Sequence, residues 1–360
     1  MMKKILVFQL LLLPLWACFS PARAQPPLSN PVTARRVDPL RTYWEDQDQF
    51  LERQGQAGLD LVQELLRRFP PSLEEPLERQ AAMLLLDTVL HEEKAPHRRA
   101  VQEFFHQRMA DLSNDLQATE PGSGAVIWKL YDHGFIIRTP SVTLLFDFTR
   151  GYSSGARSFA IADETASRII GQCDVLFITH IHEDHADPWV AERFLALGKP
   201  VVTPRDLFRE EIFHSRITNL ERSAEKVQEL NLPGNTRLEV RVYPGHQGSD
   251  LDNNVYLVQT PEGFTFLHTG DQSNDDDFAW IDGINRSSRV DILFPNCWST
   301  DIARMIRGVA PKLVITGHEN ELGHSVVHRE PNWLTYDRLQ GTVPPVVLMA
   351  WGERFRYSPE

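Results

Sequence analysis

Cysteine is scarce in this chain: three residues in 360, at Cys18, Cys173 and Cys297. Cys18 lies in the N-terminal segment, so at most one disulfide could form in the remainder. Cys173 and Cys297 each sit beside apolar sequence, and two buried thiols are the simplest expectation, although spacing alone does not decide between thiols and a disulfide. Basic charge is also in deficit. There are 37 Lys and Arg against 49 Asp and Glu, for a formal charge of −12. An acidic chain gains no counterion-release advantage on a polyanion, so nucleic acid is not the expected partner. Long apolar runs are missing apart from residues 5–19, and that run is short and broken by Pro14. A membrane anchor is therefore not expected. No short-period repeat and no low-complexity stretch is found.

That one apolar run follows Lys3-Lys4 and precedes Ala22-Arg23-Ala24. Charged start, apolar stretch and small-residue site together spell a secretory signal covering residues 1–24, cut before Gln25. An exported protein, periplasmic or secreted, is expected. Leu15-Trp16-Ala17-Cys18 loosely resembles a lipidation box, which would anchor the chain through Cys18, but Trp16 fits it poorly.

Hydrophobic content of 42% over this length allows one large domain and a smaller one. Residues 25–118 read as a small helical module behind a Pro-rich leader. Leu59, Val62, Leu65, Leu66 and Phe69 recur at helical spacing, as do Val101, Phe104, Phe105, Met109 and Leu112. Pro70-Pro71 and Pro96 divide the helices. Residues 119–124 form a Gly- and Pro-containing linker. Residues 125–357 are then β-rich. Strands are expected at 125–131, 135–139, 142–148, 175–179, 199–203, 237–243, 254–260, 264–268, 290–294, 313–316 and 346–350. Helices are expected at 161–171, 188–197, 206–213, 276–285, 302–309 and 332–339. A meander followed by strand–helix alternation, twice over, suggests two sheets sandwiched between helices, an αββα arrangement of the α/β class.

The chemistry concentrates in His180-x-His182-x-Asp184-His185, at the end of a hydrophobic strand. Neutral imidazoles and a carboxylate are the donors that borderline divalent ions such as zinc take. Three further strand ends carry a donor just after a glycine: Gly245-His246, Gly270-Asp271 and Gly317-His318. Glycine there lets the chain turn sharply toward a common site. Asp147 ends another strand without a glycine. Asp187 before Pro188 reads as a helix N-cap.

In their order and spread over residues 125–357, Asp147, His180-x-His182-x-Asp184-His185, His246, Asp271 and His318 resemble the metallo-β-lactamase-fold metallo-hydrolase superfamily. The pattern looks like the superfamily's lactonases, phosphodiesterases and thioesterases, and the texture is most similar to its lactonase-like and phospholipase-like branch. The resemblance implies that His180, His182 and His246 hold one divalent ion, that Asp184, His185 and His318 hold a second, and that Asp271 bridges them. Zinc is the default from the donor types, with Mn²⁺ or Fe²⁺ also suited. It further implies that a shared water, acidified by the two ions, attacks an ester, lactone, thioester or phosphodiester. Asp184, or an outer histidine such as His324, would move the proton. Asp147 would orient ligands from behind, with Glu319 and Asn320 as loop residues beside the site. His268 and His328 are further histidines near these motifs. His182, where the flavodiiron relatives carry a carboxylate, and Asp271, a carboxylate that the antibiotic-cleaving members lack, point to hydrolysis of something other than a β-lactam.

Arg150 begins a polar loop, and Trp189 and Trp298 lie near strand ends where an aromatic could meet a small-molecule substrate. Two other classes stay open at this stage. One is a mononuclear iron oxidoreductase of the persulfide dioxygenase kind, using His180 and His182 without His318. The other is a metal-binding protein without catalysis. Metal count and identity separate them.

Overall fold

A computed structural model describes residues 46–151 and 159–358. The signal segment with Cys18, the Pro-rich leader and residues 152–155 of the polar loop lie outside the described residues. The described residues form one compact unit.

Three helices come first: α1 (Gln47–Arg68), α2 (Leu77–Leu90) and α3 (Arg99–Ala118). A six-stranded sheet follows, with order β13-β1-β2-β3-β4-β5. Its strands are β1 (Ala125–Lys129), β2 (Phe135–Arg138), β3 (Thr143–Phe146), β4 (Val175–Phe177), β5 (Val201–Val202) and β13 (Arg354–Tyr357). A seven-stranded sheet has order β12-β11-β10-β9-β8-β7-β6. It comprises β6 (Gln228–Asn231), β7 (Arg237–Gln247), β8 (Leu251–Gln259), β9 (Thr265–His268), β10 (Ile292–Phe294), β11 (Leu313–Ile315) and β12 (Val346–Val347). The other helices are α4 (Asp163–Gln172), α5 (Pro188–Ala196), the single turns α6 (Phe278–Ile281) and α7 (Ile284–Ser287), α8 (Ile302–Val309) and α9 (Asn332–Leu339).

Strand alternation builds the layers. In β1, Ala125 and Ile127 face the core between the sheets, and Val126 and Trp128 face the core shared with α1–α5. A third core, with Leu267, Leu293 and Val314, lies under α6–α8. The αββα sandwich expected from the sequence, preceded by helices, is the observed architecture. Its N-terminal helices share one apolar core with the first sheet. They are also tied to it by a buried ion pair: Arg79 on α2 donates to both oxygens of Glu353, at 2.7 and 2.6 Å. Planar two-point pairing of this kind is among the stronger side-chain contacts, and losing one partner would strand a buried charge.

Several elements differ from expectation. No helix forms over 206–213, because Phe208 takes a left-handed conformation (φ 60°) that a right-handed helix does not accommodate. The helix expected over 276–285 is broken into α6 and α7 around Asp282-Gly283. Strand β7 runs to Gln247, so His246 lies inside a strand and not beyond it. The polar edge strand β6 and the closing strand β13 were not anticipated; β6 buries only Leu230, leaving little hydrophobic pattern to read. Asp187 caps α5 as expected, accepting from Trp189 N and Val190 N. Cys173 and Cys297 are buried free thiols.

Candidate metal centre

Strand β4 carries its sequence to the edge of the sandwich, and Asp147, following β3, fixes what comes next. One Asp147 oxygen accepts from Thr179 N at 2.8 Å. The other accepts from Thr179 Oγ1 at 2.7 Å and from His185 Nδ1 at 2.8 Å. Thr179 Oγ1, its proton committed to Asp147, accepts in turn from His180 Nδ1 at 3.0 Å. With Nδ1 held in this way, both imidazoles point Nε2 away from their holders, the orientation that metal-ligating histidines adopt. On β7, His246 Nδ1 donates to Asp277 Oδ1 at 2.9 Å, which leaves its Nε2 free in the same way.

Asp271 is placed by the turn after β9. Gly270 has φ 50°, and a Cβ there would meet Asn253 Oδ1 at 2.3 Å and Thr179 Cβ at 2.6 Å, so only glycine fits. Asn253 accepts from Asp271 N and donates to Thr269 O. His268 is packed flat on Phe146 and holds the same turn, its Nδ1 accepting from Gly270 N. Gly317 lets the chain before His318 pass close to His133, whose Cδ2 would lie 2.1 Å from a Cβ.

These supports gather the donors into two clusters, each with donor atoms within 4.8 Å of one another. One holds His180, His182 and Asp271; the other holds Asp132, Asp184, His185 and His318. Asp271 lies between them, with Oδ1 3.3 Å from His185 Nε2 and Oδ2 3.5 Å from His180 Nε2 and 3.3 Å from His318 Nε2. Asp184 Oδ2 lies 3.2 Å from His185 Nε2 and 3.4 Å from His318 Nε2. His180 Nε2, His185 Nε2, His318 Nε2, Asp271 Oδ1 and both Asp132 oxygens are buried without a hydrogen-bond partner. Buried polar atoms are seldom left so, and a converging set of lone pairs is what a cation satisfies. The residues present therefore fit divalent metal.

The electrostatics point the same way. Burial, with His185 beside it, pushes His180 down to about 3, so its ring is neutral. Burial would also lower His185, but Asp271, Asp184 and Asp147 outweigh it and hold that imidazole well above its usual range. Conversely, burial would raise Asp271, yet His318, His185 and His180 hold it well below. Burial, reinforced by Asp184, pushes Asp132 well above the ordinary carboxylate range despite the pull of His318.

Of the residues singled out in sequence, His180, His182, Asp184, His185, Asp271 and His318 come together. His246 stands outside both clusters, held by Asp277. Glu319 turns away to Lys129, 2.5 Å distant and equally buried, and Asn320 donates to Asp87 on α2 at 2.8 Å. Neither bond goes to a cluster imidazole, because left-handed backbone at His318 (φ 74°) and Asn320 (φ 58°) redirects this stretch. These bonds brace the loop that follows His318. His324 is 46% exposed, and its ring stacks on that of His318 with centroids 5.7 Å apart. Trp298 meets His318 edge-on. Arg150 lies over Trp189 and pairs with Asp187 and Asp163. Sequence reading missed Asp132, His133 and Asp277. Tyr131-Asp132-His133-Gly134 looked like an ordinary hairpin turn, and Asp277 ends an acidic run indistinguishable from a solvated one.

The chain matches no protein-family model and no curated protein. Among solved structures it is similar to Igni18, a metallo hydrolase from the archaeon Ignicoccus hospitalis (TM-score 0.48, 16% identity, 66% of this chain and 99% of that one). It is similar to the metallo-β-lactamase fold protein YhfI from Bacillus subtilis (TM-score 0.44, 13% identity, 64% and 99%). It is also similar to CmlA, a diiron β-hydroxylase from Streptomyces venezuelae (TM-score 0.48, 15% identity, 66% and 55%). Among the described residues, no helix is long and apolar enough to cross a membrane.

Proposed function

We propose that this chain is an exported, dinuclear metal-dependent hydrolase of the metallo-β-lactamase fold, acting on a small-molecule ester, lactone, thioester or phosphodiester. The observation that carries the reading is the pair of adjoining donor clusters whose buried lone pairs converge with no partner of their own. His180, His182 and His246 would hold one ion and Asp184, His185 and His318 the other, with Asp271 between them. Two such ions, zinc by donor type, would supply an acidified water and polarise the bond to be cut.

The chain's own residues supply orientation and proton transfer. Asp147, through Thr179 and His185, fixes two imidazoles before any ion arrives, so ligand geometry costs little ordering at binding. Asp184 is 13% exposed, whereas Asp132 and Asp271 are sealed, which makes it the cluster carboxylate best placed to take up a proton from the nucleophile. His324 stands between solvent and His318 and would pass that proton outward. Trp298, against His318, walls one side and excludes water from that ring.

The test is a hydrolysis panel of lactone, phosphodiester, thioester and β-lactam substrates on one purified sample, with and without chelator. Asp184→Ala should lower turnover by at least about 100-fold while far-UV circular dichroism is unchanged. Full turnover in that variant, or turnover indifferent to chelation, overturns the proposal.

A further inference from the structure

The hairpin turn between β1 and β2 delivers a carboxylate that the seven-residue ligand set leaves out. Asp132 is fully buried, with both oxygens lacking a hydrogen-bond partner. Its backbone is left-handed (φ 53°), a conformation an aspartate adopts at some cost, and its carbonyl accepts from His318 N at 3.1 Å. The turn is thus pinned to the His318 strand end, and the strain aims the side chain inward. Oδ1 lies 3.1 Å from His318 Nδ1, and Oδ2 lies 3.5 Å from His185 Nε2. A buried carboxylate with nothing to accept from is costly unless a cation meets it.

Resting on the dinuclear reading above, we infer that Asp132 is an additional protein donor to the second ion, alongside Asp184, His185 and His318. One oxygen would steady His318 through Nδ1, as Asp147 and Asp277 do for His185 and His246, and the other would face the ion. The two positions then differ in kind. The His180 side is imidazole-rich, whereas the His318 side has Asp132, Asp184 and the shared Asp271 against two imidazoles. Oxygen-rich surroundings suit harder ions, so the second position would take Mn²⁺ or Fe²⁺ more readily than an imidazole-dominated one.

The test compares the wild-type chain with Asp132→Asn and, as a positive control, His318→Ala. Asparagine keeps the side chain's shape and an oxygen beside His318 Nδ1, so this variant removes the negative charge with the least change in packing. Mn²⁺ and Zn²⁺ are titrated separately by calorimetry, and bound metal is counted after dialysis. The expected result is at least a ten-fold loss of Mn²⁺ affinity at one of two positions in Asp132→Asn, with Zn²⁺ weakened less. A crystal structure of the wild type soaked in Mn²⁺ provides a second measurement that needs no variant, and it should place an Asp132 oxygen on the ion beside His318. Wild-type Mn²⁺ affinity in Asp132→Asn, or both Asp132 oxygens turned from the ion, overturns the assignment while leaving two ions in place. A wild-type chain that binds no ion overturns the dinuclear reading and this assignment together.

Discussion

Asp87, on helix α2, accepts a hydrogen bond from Asn320, two residues beyond His318, at 2.8 Å. The same carboxylate accepts from Asn332 N, Asn332 Nδ2 and Trp333 N at the start of α9. One of the N-terminal helices therefore clasps both ends of the loop that follows His318. Asp87→Ala would leave these donors buried and unpaired, and a loss of about 3 kcal/mol is expected. Urea denaturation measures it. Metal titration of the same variant should show weaker binding at the His318 position, with the His180 position unchanged. Unchanged binding at both would mean the clasp serves only the helices, and uniform weakening would mean it is not specific to the His318 position.

Asp277 plays the corresponding part for His246, accepting from its Nδ1 and from its backbone N at 2.8 Å. Asp277→Ala frees the ring to take the other tautomer and rotate. A 10- to 100-fold drop in metal affinity is expected, in line with loss of a carboxylate that holds a ligating histidine. Calorimetric titration with Zn²⁺ checks it, and an unchanged affinity would remove His246 from the ligand set.

Gly270→Ala should be among the most damaging small substitutions in the chain. Its φ of 50° and the 2.3 Å approach of Asn253 Oδ1 leave no room for a methyl group. Displacement of Asp271 would affect both clusters at once. The expected outcome is a lowered melting temperature and loss of both ions, read by calorimetric scanning and metal counting. A variant with native stability and full metal content would contradict the placement of this turn.

Removing metal should cost stability. Asp132 and Asp184 lie in one donor cluster and Asp271 in the adjoining one, and His185 and His318 stand beside all three. With free ion at about 100 times its dissociation constant, each site contributes roughly 3 kcal/mol. Thermal scans with a chelator should therefore show a melting temperature several degrees lower, restored by Zn²⁺ or Mn²⁺ and not by Mg²⁺. No shift would argue against ion binding.

The sequence made the layered sandwich legible because strand periodicity and helix spacing were both strong, as in Ile302–Val309 and Asn332–Leu339, whose bounds are those observed. The cluster at His180 was legible because four donors in six residues serve no purpose in packing. Asp132 was not, since one acid in a turn is the commonest feature of a hairpin, and only the pairing of β1 with β2 brings it under His318. Glu319 and Asn320 show the opposite case. They adjoin His318 in sequence, but left-handed backbone sends their side chains to Lys129 and Asp87. Phe208 shows the same limit in the fold: a helical pattern fails at one residue whose φ the pattern does not encode.

Metal analysis of the purified wild-type chain, by inductively coupled plasma mass spectrometry after dialysis against metal-free buffer and reloading with Zn²⁺ or Mn²⁺, addresses the central claim most directly. About two ions per chain, falling to about one in His180→Ala and in His318→Ala, is the predicted result. One ion in the wild type that survives His318→Ala, or none in any form, would contradict a dinuclear centre.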